Sequence, residues 1–298
     1  MANLTPDLAS QEASAATDRV DVASLEARAL EARRHIVRAV SRAGAGHLGG
    51  PLSAVDVLVA LYGGILRVRP DQPDWDERDR FVLSKGHASI GLYSVLALSG
   101  YFPIEELATF DAIGTRLQGH PDMTRLPGLD MSTGSLGVGS SAAVGMAIGA
   151  RRRGLDSRVF VMLGDGECQE GQVWEAAISA VRHRLDNLFA IVDVNGLQQY
   201  GWIDAADGGR TRPWSSASLA AIWAAFGWRT SIIDGHDMRA ILEGIGIAIE
   251  AAGDGRPTVI LAETVKGRGV SFMEDRFEWH ARVPTDDETA RALRELGA

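Results

Sequence analysis

The chain is short of cysteine, short of lysine and without any long apolar run, and each shortage narrows what it can be. One cysteine, Cys168, in 298 residues excludes an internal disulfide framework and fits a reducing, cytoplasmic setting. Its expected role is packing. No apolar stretch is long enough to cross a bilayer, and residues 1–21 are polar and acidic, without the basic and apolar regions of a secretory leader. A formal net charge of −9 argues against a nucleic-acid surface but leaves room for small anions held by loops and helix ends. The only two lysines, Lys85 and Lys266, both fall in glycine-containing motifs, Ser84-Lys85-Gly86-His87 and Val265-Lys266-Gly267-Arg268-Gly269.

What remains is ordinary for a globular protein: 46% hydrophobic and 23% charged residues, enough to bury a sizeable core. Residues 1–21 read as a frayed tail and 22–298 as one domain. Apolar spacing predicts helices from residue 25 to the Gly44-Ala45-Gly46 break and from 53 to 66, with Ser53 as N-cap and Asp56 in the first turn. A short strand at 80–83 and a helix at 90–98 follow. Residues 139–150 are rich in Gly, Ser and Ala, so that helix can pack closely against either a sheet or another protein chain. Strands at 159–163, 188–193, 229–233 and 258–263 alternate with helices at 173–185, 219–226 and 238–251, and a last short helix covers 287–296. This alternation predicts an α/β fold, a doubly wound, mostly parallel sheet with helices on both faces. The stretch 205–213 reads as a loop within the domain.

Ligands on such sheets bind beyond the carboxyl ends of the strands. There the run Val159-Phe160-Val161-Met162-Leu163 ends in Gly164-Asp165-Gly166, and the next strand ends in Asn195. An Asp and an Asn delivered to one sheet edge make a hard-oxygen site suited to Mg²⁺ carrying a diphosphate, and the flanking glycines allow close backbone approach. Four histidines, His47, His87, His120 and His280, sit in loops beside Gly, Pro or Trp. Imidazoles there could shuttle protons near neutral pH. His35 and His183 fall on helical patterns among arginines and read as solvated, while His236 in Asp234-Gly235-His236-Asp237 has no assigned role.

The stretch from Gly164 to Gln199 closely resembles the thiamine diphosphate motif of transketolases. Gly46-His47-Leu48-Gly49-Gly50, Asp79 through Ala88, Gly119-His120-Pro121, Thr133-Gly134-Ser135-Leu136-Gly137 and Trp279-His280 resemble other landmarks of that family in the same order. The resemblance spans roughly residues 25 to 285. It implies a thiamine diphosphate-binding fold with Asp165, Asn195 and the Leu197 carbonyl on Mg²⁺, and Gly164 and Gly166 beside the diphosphate. Gly134, Ser135 and Leu136 would meet the aminopyrimidine through their backbone. His47, His87, His120 and His280 would form a catalytic ring, and Glu170 would face the cofactor-activating glutamate of a neighbouring chain. Glu167 and Glu175 read as helix-start and surface residues. Leu48 stands where the family often has proline, and Ala281-Arg282-Val283 where Gly-Lys-Ala is frequent, which bears on substrate preference or rate.

The family's pyrimidine-binding domain has no counterpart here. The resemblance therefore implies the N-terminal subunit of a two-chain transketolase, active only with a separate C-terminal subunit in an α₂β₂ heterotetramer. It would transfer a two-carbon ketol unit from a ketose or its phosphate to an aldose. The alternatives are a relative serving an unusual acceptor in specialised metabolism and a non-catalytic cofactor-binding subunit.

Overall fold

The computed structural model describes residues 21–199 and 214–298. Apart from Asp21, the expected tail lies outside the described residues, as does the expected loop at 205–213.

Helix α1 (Val22–Ala43) buries Leu25, Ala29, Ala32, Ile36, Val37 and Val40 at helical spacing. It stops at Gly44, whose left-handed φ of 64° lets its amide close the helix on the Val40 carbonyl. Helix α2 (Gly49–Ala60) begins four residues before the expected start and passes into a single π turn, Leu61–Ile65. All twelve residues of α2 are buried, so no polar face marks its ends. Pro51 is tolerated because it falls in the first turn, where amides lack intrahelical partners. Ser53 is therefore no N-cap. Its hydroxyl sits inside the helix and donates to the Asp193 carboxylate at 2.6 Å. Asp56, expected to act on the helix dipole, is instead buried against Arg33.

Strand β1 (Arg80–Leu83) and helix α3 (Ser89–Leu98) lead to α4 (Val138–Arg152). Then β2 (Val159–Gly164), α5 (Gly171–Arg182), β3 (Leu188–Val194), α6 (Ser216–Ala225), β4 (Arg229–Asp234), α7 (Met238–Glu250), β5 (Thr258–Glu263) and α8 (Asp286–Glu295) complete the described chain. The five strands form one parallel sheet in the order β1-β2-β3-β5-β4.

Strand residues alternate between two cores. Phe160, Met162, Phe189, Ile191 and Ile260 pack with α1, α2, α3, α7 and α8 on one face. Val161, Leu163, Ala190, Val192 and Leu261 pack with α4, α5 and α6 on the other. A sheet covered on both faces needs apolar residues at successive positions, which is why β2 and β3 read as continuous apolar runs. The small residues of α4 serve the sheet on one side: a Cβ on Gly139 would lie 2.5 Å from Ser84 Oγ, so the helix start presses on the end of β1. On the other side of α4, Gly145 and Gly149 have nothing within 4 Å of a would-be Cβ.

Candidate active site

Four neighbouring strands, β1, β2, β3 and β5, deliver their carboxyl ends to one edge. Beyond them lies a cavity of about 450 Å³. Its wall contains His47, His87, His120, His280, Gly134, Leu136, Gly164, Asp165, Gly166, Glu170, Asn195 and Leu197. Ser135 is exposed beside it.

The four histidines, far apart in sequence, come together. His87 and His280 stack with ring centroids 4.9 Å apart, and His47 lies 5.3 Å from His87, 5.4 Å from His280 and 6.1 Å from His120. Local packing holds them. Gly86 lets Thr133 and Gly134 lie against the His87 turn, since a Cβ there would come within 2.8 Å of the Thr133 carbonyl carbon. Trp279 is buried and donates its indole N–H to the Phe272 carbonyl at 3.0 Å, fixing the turn that carries His280. Arg282 stacks 4.3 Å over Trp279, and Leu48 is fully buried in the core. Neither of these two departures from the family pattern lines the cavity.

Burial decides the charge state of His47, His87 and His280. It lowers the His47 pKa to about 4, with His120 and Lys266 adding to the effect. It lowers His280 to about 2, assisted by Lys266, and takes His87 well below the ordinary range, assisted by Lys85. These three rings are neutral at pH 7, each with one donor and one acceptor.

Asp165 is buried, and its carboxylate accepts the Gly166 amide at 2.8 Å and the Gly196 amide at 2.6 Å. Burial, with Asp193 nearby, raises its pKa to about 6. Asn195 Oδ1 accepts the Leu197 amide at 3.1 Å, and its Nδ2 donates to Asp193 at 3.1 Å. The amide is thus turned so that its oxygen lies on the Leu197 side. Among the described residues no cluster of three or more His, Cys, Asp or Glu could hold a metal, so a cation here would depend on amide and carbonyl oxygens. The oxygen set of Asp165, Asn195 and Leu197 fits Mg²⁺ chemistry, and a divalent cation would offset the burial that raises the Asp165 pKa.

Several residues at the site had no role assigned from sequence. Lys85 and Lys266 both line the cavity. Lys85 forms a fully buried ion pair with Asp193, which also accepts from Ser53 and Thr264. Burial alone would raise the Asp193 pKa, and Lys85 reverses this to hold it below the usual carboxylate range. Lys266 Nζ lies 2.9 Å from His280 Nδ1 and 3.3 Å from the Leu197 carbonyl. Burial, reinforced by Lys85, lowers its pKa to about 8, so it is still charged at pH 7. The scarcity of lysine was the available signal for both. Gln169, Gln198 and Gln199 also border the cavity.

Glu167 corrects an expectation. It is buried, and its carboxylate accepts from Ser84 Oγ at 2.5 Å, the Gly137 amide at 2.8 Å and the Gly164 amide at 3.1 Å. Burial raises its pKa. It ties the ends of β1 and β2 to the start of α4, because the tight turn after Asp165 aims it inward. Glu175 is exposed as expected, and Glu170 is exposed at the cavity rim. Cys168 is buried among apolar residues of the second core, as a packing residue should be. His183 is exposed, whereas His35 is half-buried 3.1 Å from Glu31.

The family model described as transketolase, thiamine diphosphate binding domain, matches residues 25–298. The chain belongs to that family. It is 43% identical over 264 residues to the 6-deoxy-6-sulfo-D-fructose transketolase subunit of Clostridium sp. (strain MSTE9), covering 89% of this chain and 93% of that one. To an apulose-4-phosphate transketolase subunit of Phocaeicola vulgatus it is 39% identical over 277 residues, covering 93% and 95%. The solved transketolase of Campylobacter jejuni superimposes with a TM-score of 0.83 at 31% identity, over 92% of this chain but 42% of that one. The chain thus matches the two transketolase subunits nearly end to end and the Campylobacter transketolase over less than half its length. No helix among the described residues is long and apolar enough to cross a membrane.

Proposed function

We propose that this chain is the diphosphate-binding, N-terminal subunit of a two-chain transketolase, with residues 22–298 acting as one domain. One observation carries the reading: four histidines meet over a cavity whose other wall presents Asp165 and Asn195 at adjacent strand ends. The match to separate transketolase subunits over nearly their whole length supports it.

Asp165, Asn195 and the Leu197 carbonyl would hold Mg²⁺, and Gly164, Gly166 and charged Lys266 would face the diphosphate. Gly134, Ser135 and Leu136 would offer backbone groups to the aminopyrimidine, and Glu170 at the rim would meet the partner subunit. Thiamine diphosphate, when bound, supplies the electron sink that cleavage beside a carbonyl requires. The protein's share is positioning and proton transfer. Neutral His47 and His87 can each accept a proton from a sugar hydroxyl or donate one to a carbonyl oxygen, while His280, whose Nδ1 meets Lys266, can donate. His120, on the exposed loop, is suited to hydroxyl recognition. The buried Lys85–Asp193 pair keeps the floor rigid and charge-balanced. The partner would be a pyrimidine-domain chain in an α₂β₂ assembly, in a reducing cytoplasm.

The sugars in the names of the two subunit relatives, 6-deoxy-6-sulfo-D-fructose and apulose-4-phosphate, favour a donor or acceptor outside central carbohydrate metabolism. The test of the cofactor assignment is titration calorimetry of thiamine diphosphate into the chain with its partner, with and without Mg²⁺. Binding should require Mg²⁺ and vanish in Asp165→Ala; unchanged heat in that variant would refute the site.

A further inference from the structure

His236, which the chemistry above does not use, connects two parts of the fold to the cavity wall. It lies in the turn after β4 with its side chain nine-tenths buried. Its Nδ1 is 2.7 Å from Asp56 Oδ2, and its Nε2 is 2.8 Å from the Val265 amide nitrogen. An amide N–H can only donate, so Nε2 carries the lone pair and Nδ1 the proton that Asp56 accepts. Asp56 is itself fixed by Arg33, at 2.9 and 2.5 Å to its two oxygens. The ring is therefore held as one neutral tautomer between α2 and the chain leaving β5.

That chain continues into Lys266. Its backbone is anchored on both sides, by His236 at Val265 and by the Gly267 amide donating to the Gly49 carbonyl at 3.1 Å. The Lys266 side chain packs so closely on α2 that a Cβ at Gly49 would lie 2.7 Å from its Cγ. At its end the ammonium, which has donors and no acceptor, meets His280 Nδ1. This assigns the lone pair of His280 to Nδ1 and its hydrogen to Nε2.

We propose that His236 is a positioning residue: by holding the Val265 amide it fixes the backbone from which Lys266 sets the tautomer of His280. His280 is then left with Nε2–H as its remaining polar group, a donor for an oxygen in the cavity. The catalytic consequence rests on the transketolase reading above; the tautomer chain does not.

The test is imidazole ¹⁵N correlation spectroscopy on the full chain labelled at histidine, with four proteins. Wild type should show Nδ1–H with bare Nε2 for His236 and the reverse for His280. His236→Gln puts a carbonyl oxygen where Nε2 accepts and should keep the His280 pattern. His236→Asn keeps a donor for Asp56, but its carbonyl oxygen is too short to reach the Val265 amide, and it should give mixed His280 tautomers. Lys266→Met should do the same, which covers an asparagine variant that fails to fold. With the partner subunit, kcat in His236→Asn should fall about tenfold more than in His236→Gln. Nε2–H on His236 in the wild type, or an unaltered His280 pattern in Lys266→Met, would overturn the proposal. The spectra need no catalysis, so a partner-complemented wild type without ketol transfer would count against the function and not against this coupling.

Discussion

The imidazoles of His87 and His280 stack with centroids 4.9 Å apart and planes 30° from parallel, although one follows β1 and the other precedes α8. Two charged rings could not share that space cheaply, and burial keeps both neutral. With His47 beside them, this sets a pH dependence. In the unfolded chain histidine binds a proton below about 6.5, whereas folded His47 stays neutral down to about 4. Between those values these histidines bind more protons in the unfolded state, so their contribution to stability is lost as pH falls. Urea unfolding from pH 7 to pH 4 should show a declining midpoint, and the decline should flatten in a His47→Asn, His87→Asn double variant. An equal slope in both proteins would contradict the assignment of neutral buried rings.

Removing His87 or His120 tests their part in the chemistry. Each alanine variant should leave cofactor affinity near wild type and lower turnover about a hundredfold, as expected for groups that move protons or orient hydroxyls. Full turnover of both variants at saturating donor would remove them from the mechanism.

The Lys85–Asp193 pair, with both side chains about 2% exposed, makes a strong stability prediction. Lys85→Met leaves Asp193 buried without its cation and should cost about 3–5 kcal/mol. A Lys85→Met, Asp193→Asn double variant should recover much of that loss. Thermal unfolding of the three proteins decides it: a single variant as stable as wild type would mean that the pair is not buried as described.

Two glycines separate packing inside the chain from packing against a partner. Gly86→Ala should weaken cofactor binding, because its Cβ would displace the Thr133–Gly134 backbone. Gly145→Ala meets nothing within 4 Å and should stabilise α4 by roughly 0.5–1 kcal/mol. If the partner subunit covers that face of α4, the same change should weaken association, read by analytical ultracentrifugation of the mixture. Undiminished association would place the interface elsewhere.

The sheet is legible in the sequence because β2, β3 and β5 are short apolar runs bounded by turn residues, and the Asp165 and Asn195 strand ends are legible for the same reason. The start of helix α2 is not, because burial on all sides erases the amphipathic signal and a serine at its middle looks like a cap. Glu167 misleads because an acidic residue opening a helical turn is ordinarily solvated; only the three-dimensional turn brings Ser84, Gly137 and Gly164 around it. Lys266 stands out by rarity, but its contact with His280 joins residues from two separate loops and leaves no local pattern. His236 is similar, since its partners Asp56 and Val265 lie on different elements.

On the proposed function this chain supplies half of a transketolase site. This is tested most directly by following ketol transfer from a ketose donor to an aldose acceptor, with Mg²⁺ and thiamine diphosphate, in three samples: this chain, a pyrimidine-domain partner, and the two mixed. Transfer only in the mixture, lost again with Asp165→Ala, is the predicted result. Robust transfer by this chain alone, or none from a mixture that forms a stable complex and binds the cofactor, would contradict it.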